Sequence, residues 1–188
     1  LKEIQQMLAA APGMELEMFI HGALCCCISG SCLLSSWLGG WSGNRGKCAQ
    51  PCRLPYGYER QENKYPLSLK DNCMISYLSE LKAMGVASLK IEGRMKSPEY
   101  AAGVTAIYRK YIDIYYNNPN DRYIVDEQDL ETLYNLYVRK DIQKGYYDVR
   151  NGRNMITISE PGYRKVSESL CENIRSKYIQ TELKKEIH

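Results

Sequence analysis

Six of the eight cysteines of this chain fall between Glu17 and Arg53, at Cys25, Cys26, Cys27, Cys32, Cys48 and Cys52. Thiols crowded among glycines and serines serve no packing purpose in a small domain, so a shared inorganic ligand is the expected reason for them. Six residues separate Cys25 from Cys32, and three separate Cys48 from Cys52. Two such pairs on separate loops can converge as four thiolates, the donor set of an iron–sulfur cluster or of zinc. Structural zinc sites favour short spacers on tight knuckles, so the wide first pair leans toward a cluster. Cys26 and Cys27 extend the run without adding a new spacing and read as small buried hydrophobes. Cys73, read as lying early in a helix whose dipole lowers its pKa, is the substitute ligand.

Arg45, Lys47 and Arg53 crowd around the second pair, where they would offset the negative charge of a cluster or form a simple anion site. Lys90, Glu92 and Arg94 alternate in sign at the exit of a strand. They either hold an anionic substrate and act as acid and base, or form a salt-bridged rim. The only histidines are His21 and His188. His21, four residues before Cys25, either pairs with that thiol or is a hydrogen-bonded structural ring. No GxSxG or HExxH occurs, which leaves a conventional protease poorly supported.

Positioning falls to alternating helices and strands. Apolar spacing predicts a helix over 1–11, stopped by Pro12-Gly13, then a strand over 15–20 that delivers His21-Gly22 to the thiol-rich loop. A second brief strand is expected over 65–69. Asp71 reads as the N-cap of a helix running to about Met84. ASLKIE at 87–92 alternates as a strand, and Ser97-Pro98-Glu99 opens a helix to about Tyr116 that buries Ala101, Val104, Tyr108, Tyr111 and Tyr115. Asp126 caps a further helix with Leu130, Leu133, Tyr134 and Tyr137 on one face. Turn and short strand follow over 144–158, then a thin stripe of Val166, Leu170, Ile174 and Tyr178 before a charged tail. Strand, loop and capped helix spell β/α units, whose chemistry sits at the strands' C-terminal ends.

With 188 residues, 44% hydrophobic and 25% charged, the composition is that of a globular chain rather than a disordered one. A net charge of +3 is too small to imply nucleic acid by itself. Residues 18–44 carry no Asp, Glu, Lys or Arg, yet five glycines and five serines keep their apolar density below that of a membrane span. Three consecutive cysteines make poor disulfide partners for one another, so a reducing, cytoplasmic compartment is expected. A start at Leu1 inside helix-like sequence suggests a piece of a longer polypeptide.

The stretches ELEMFIHGALC at 15–25, SGSCLLSS at 29–36, SGNRGKCAQPCRLPY at 42–56, YPLSLKDNC at 65–73 and KIEGRMKSPEYAAGVTAIYRKYID at 90–113 closely resemble the peptidase U32 family, the collagenase-like putative proteases. The likeness continues weakly through GYY at 145–147. It implies the C-terminal portion of a β/α, TIM-like barrel over 1–118, with a Cys-rich insert at 22–58, followed by a small helical and strand extension over 119–188. The missing N-terminal part of the parent chain would then be a partner of this one. The resemblance also implies an iron–sulfur enzyme of the type that hydroxylates RNA bases, with tRNA or rRNA as partner and prephenate as co-substrate. Carried over by position, a [4Fe-4S] cluster falls on Cys25, Cys32, Cys48 and Cys52, with Cys73 or, because of the CCC run, Cys27 as substitute. Catalytic roles fall to His21, Lys90, Glu92 and Arg94, and substrate binding to Arg45, Lys47 and Arg53. The alternatives are a collagenase-like peptidase and a zinc-stabilised binding module without enzyme activity.

Overall fold

The computed structural model describes residues 2–28, 31–57, 64–94, 96–119, 123–137, 142–145, 147, 152–158 and 166–179. In chain order the elements are α1 (Lys2–Ala10), β1 (Glu17–Gly22), α2 (Leu34–Gly39), β2 (Asp71–Cys73), α3 (Leu78–Ala83), β3 (Ser88–Ile91), α4 (Pro98–Asn117), α5 (Glu127–Tyr137), β4 (Ile142–Gln143) and α6 (Glu168–Ile174). The chain is mixed α/β. Its four described strands are too few to close a barrel, so the expected barrel portion is not seen among the described residues. No described helix is long and apolar enough to cross a membrane.

Two compact units divide the chain, and both are discontinuous in sequence. The first comprises Leu1–Gly22, Cys73–Val138 and Arg164–His188, the second Ala23–Asn72 and Arg139–Tyr163. Neither breaks at 118/119.

In the first unit β1 and β3 run parallel, with Glu17 opposite Ser88 and Phe19 opposite Lys90, and the register slips between Phe19 and His21. Beyond that bulge Ile20, His21 and Gly22 are all buried. Gly22 has φ +106°, and a Cβ there would lie 2.7 Å from the Glu92 carbonyl oxygen, so only glycine fits. The expected alternation of ASLKIE holds, with Leu89 and Ile91 half-buried between exposed Ser88 and Lys90.

Helix α4 begins as its sequence predicts. Ser97 Oγ accepts from the Tyr100 N–H at 3.3 Å, and Pro98 needs no partner in the first turn. Val104, Tyr108 and Tyr111 are buried as expected, whereas Ala101 is exposed and Gly103 faces inward instead. A Cβ on Gly103 would come within 2.8 Å of Leu136 on α5, so glycine lets the two helices approach. Asp126 caps α5, its carboxylate accepting from the Gln128 N–H at 2.7 Å. The Tyr137 side chain and the tail ending at His188 lie outside the described residues, as does Tyr146 of the GYY stretch. Ile174 closes the core from α6, and Arg175 Nε, just beyond it, reaches Glu99 Oε1 on α4 at 2.5 Å.

Two expectations are corrected around Asp71. It is not a helix cap: it opens β2, and α3 starts only at Leu78, after a 3-10 turn at Ile75–Tyr77. In the second unit Asp71 and Asn72 pair in parallel with Ile142 and Gln143, a partner far along the chain that no local pattern announces. Nor do residues 65–69 form a strand; they make a turn that ends in one antiparallel bridge, Leu69 to Ile156. Within this unit the Lys70 N–H reaches the Met155 oxygen at 2.8 Å, and the Thr157 N–H reaches the Ser68 oxygen at 2.6 Å.

Candidate functional site

The thiol-rich loop belongs to the second unit and is built on α2, a six-residue helix the sequence did not suggest. Its end is closed by Gly40 at φ +68°, with the Gly40 N–H on the Ser36 oxygen and the Trp41 N–H on the Ser35 oxygen. Ser35, only 3% exposed, links this helix to the second cysteine pair. Its hydroxyl oxygen accepts from the Ala49 N–H at 3.0 Å and its proton points to Cys48 Sγ at 3.5 Å. The Gln50 N–H also donates to Cys48 Sγ, at 3.3 Å. Gln50 adopts a left-handed backbone, φ +57°, the only described non-glycine residue to do so. That conformation costs a side-chain-bearing residue about 1 kcal/mol or more. Here it folds Cys48 and Cys52 to either side of one tight turn, completed by the 3-10 segment Pro51–Arg53.

Arg53 is the clamp of this loop. It is 7% exposed and donates to Ser68 Oγ at 2.9 Å, to the Leu24 oxygen at 2.7 Å and to the Leu69 oxygen. The guanidinium thus ties the segment before Cys25 to the segment after Cys52. By contrast Arg45 and Lys47 are exposed and make no side-chain contact among the described residues.

All eight cysteines are free. Although Cys26 is exposed as a residue, loss of water around its sulfur, and then the neighbouring Cys52, Cys25 and Cys32, push it up to about 12. Burial likewise raises Cys52, against the pull of the Arg53 guanidinium. Cys52, Cys25 and Cys32 thus help to raise Cys26, and Cys25 and Cys48 help to raise Cys52. Among the described residues, no three His, Cys, Asp or Glu side chains stand ready to hold one metal ion. The donor set nonetheless suits a four-thiolate centre by chemistry: clustered thiolates repel one another unless a cation stands among them, and two donors already point at Cys48 Sγ.

The other expected residues lie in the first unit. His21 is 2% exposed, and burial, followed by repulsion from Lys96, lowers its pKa to about 4, so the ring is neutral at pH 7. Its Nδ1 lies 3.2 Å from the Tyr108 hydroxyl. That hydroxyl donates to the Ile20 oxygen at 3.0 Å and accepts from the Met74 N–H at 3.2 Å. Since the Tyr108 proton is committed to Ile20, Nδ1 carries the proton toward Tyr108, and Nε2 keeps its lone pair. Cys73 Sγ sits 3.7 Å from the same hydroxyl. Cys73 ends a strand rather than starting a helix, and burial raises its pKa instead of a dipole lowering it. Lys90 forms an ion pair with Glu17 at 2.6 Å and lies over the Phe19 ring, while Glu92 Oε1 accepts from the Arg94 N–H at 3.0 Å.

A mixed α/β chain with a thiol-rich loop and a neutral buried histidine is the class defined so far. The model of peptidase family U32 matches residues 1–157, and the chain belongs to that family. It is 39% identical to the tRNA hydroxylation protein P1 of Bacillus subtilis over 64% of this chain and 31% of that protein. It is 44% identical to the 23S rRNA 5-hydroxycytidine C2501 synthase of Escherichia coli over 55% of this chain and 17% of that one. It is also 40% identical to a collagenase of Porphyromonas gingivalis over 71% of this chain and 38% of that one. The chain thus spans less than half the length of each of these relatives. No solved structure matches it.

Proposed function

We propose that this chain is part of an iron–sulfur enzyme that hydroxylates bases of tRNA or rRNA in the reducing cytoplasm, with its strands completing a β/α barrel in the whole protein. The observation that supports the reading is the Arg53 clamp, which ties Leu24, next to Cys25, to the tight turn that carries Cys48 and Cys52. The likeness to relatives named for tRNA and rRNA hydroxylation supports the substrate class. Cys25, Cys32, Cys48 and Cys52 would hold a [4Fe-4S] cluster, with Cys27 the substitute within the loop. Such a cluster supplies one-electron redox chemistry when bound.

The chain's own residues do the rest. Ser35 and the Gln50 N–H aim donors at Cys48 Sγ, which orients that ligand and tempers its charge. Arg53 holds the loop's two ends together. Arg45 and Lys47 offer cations to phosphate. His21, neutral at pH 7, buried and held by Tyr108, braces the end of β1 rather than meeting substrate.

The peptidase alternative draws on the name of the Porphyromonas relative, and the residues favour it less. A nucleophile's base must reach solvent-borne substrate, whereas His21 is 2% exposed and held by Tyr108. The deciding experiment is analysis of tRNA and rRNA from cells lacking the whole protein. Loss of one hydroxylated base, restored by the wild-type gene and not by Cys25→Ala, Cys48→Ala or Cys52→Ala, is the expected outcome. Unchanged RNA modification overturns the reading.

A further inference from the structure

The second unit exposes its largest apolar side chains beside its free cations. Trp37, on α2, is 90% exposed and Trp41, just past the helix end, is 54% exposed; these are the chain's only tryptophans. Fully solvated indoles are rare on a folded surface, because each leaves a large apolar face in water. The Trp41 N–H is bonded to the Ser35 oxygen at 3.2 Å, and Ser36 Oγ donates to the Trp41 oxygen at 3.0 Å, which holds the Trp41 backbone across the Gly40 turn from Trp37. Arg45 and Lys47 follow on the same loop, exposed and without partners among the described residues. From Met18 to Tyr58 the sequence holds no Asp or Glu, so no carboxylate within this stretch competes for those cations.

We infer that Trp37 and Trp41 form a stacking platform for unpaired bases of an RNA strand whose phosphates are met by Arg45 and Lys47. This rests on the RNA reading above and adds where the strand is gripped. Exposed aromatic faces and exposed cations, with no carboxylate between them, are what single-stranded nucleic acid needs: every base offers a π-face, and every linkage a negative charge. A duplex hides its base faces and gains nothing from the indoles. A proline-rich peptide, the ligand a collagenase-like reading would favour, also docks on aromatic rings but has no use for the cations.

The test is binding of a fluorescein-labelled, unstructured RNA dodecamer to the whole protein, purified without oxygen, followed by anisotropy and by tryptophan emission. Quenching on binding is expected, with affinity about tenfold weaker in Trp37→Ala and in Trp41→Ala and largely restored in Trp37→Phe. Arg45→Gln and Lys47→Gln should each lower the log–log salt slope by about 0.7. A blunt-ended RNA duplex should compete poorly. Alanine variants that bind like the wild type, a duplex that competes equally, or a proline-rich peptide that displaces the RNA and quenches the indoles at low micromolar concentration would each overturn the platform. Concentration-dependent burial of the indoles through self-association would do the same. Iron content measured on the same samples separates the two claims. Lost stacking with iron retained removes the platform alone, and stacking in colourless, iron-free protein removes the cluster alone.

Discussion

Ser35 Oγ stands 3.5 Å from Cys48 Sγ while accepting the Ala49 N–H, so one buried hydroxyl both braces the α2 helix against the loop and directs a proton at a thiol. Ser35→Ala removes both bonds and leaves the part-buried Ala49 N–H without its acceptor. The expected cost is about 1–2 kcal/mol by urea unfolding, together with faster loss of bound iron to a chelator. Unchanged iron retention would show that the hydroxyl serves packing alone.

Arg53→Met should be more damaging, because it strands acceptors at Leu24, Ser68 and Leu69 in a buried setting. A loss of about 3 kcal/mol or more is expected, with Arg53→Lys recovering only part, since an ammonium cannot reproduce the guanidinium fork. Hydrogen exchange localised to residues 23–72 would register it. A fully stable Arg53→Met would mean the clamp is dispensable.

His21 gives a pH signature. In the unfolded chain it titrates near 6.5, in the folded chain near about 4. Between those values only the unfolded state binds the proton. Stability should therefore fall by up to about 3 kcal/mol as pH drops from about 6.5 to about 4, then level off with respect to this group. His21→Asn, which keeps a donor near the Nδ1 position, should flatten that interval. A ring titrating at its ordinary value by NMR would contradict the burial.

Glu99 gives the same sign at lower pH. Its bond to Arg175 holds its carboxyl down at about 2, against 4.5 for an ordinary glutamate. The stabilisation is complete above the ordinary value and fades as pH falls toward about 2. Glu99→Gln should be less stable than the wild type at pH 7, and the gap should close in acid. A constant difference across that range would assign the effect to packing.

What the sequence made legible was local. Ser97-Pro98 and Asp126 announce their helices because a cap needs only its own first turn, and the Leu89/Ile91 alternation needs only one buried face. Asp71 misleads because an Asp before an apolar run looks like a cap until Ile142 and Gln143 arrive from far along the chain to make it a strand. Helix α2 is hidden by its brevity and its serines and glycines, which carry no apolar period. The number of thiols marks the loop but not its shape, which rests on a left-handed Gln50 and a buried Arg53 that spacing cannot reveal. Arg53 itself looked like a substrate cation, and its carbonyl partners appear only in three dimensions.

Metal analysis of the whole protein, purified without oxygen, bears most directly on the thiol loop. About four iron and four acid-labile sulfide per chain are expected, with brown colour, and both should be lost on replacing Cys48 or Cys52 by serine. Colourless protein carrying stoichiometric zinc and no sulfide, or iron that survives those replacements, would contradict a cluster held by this loop.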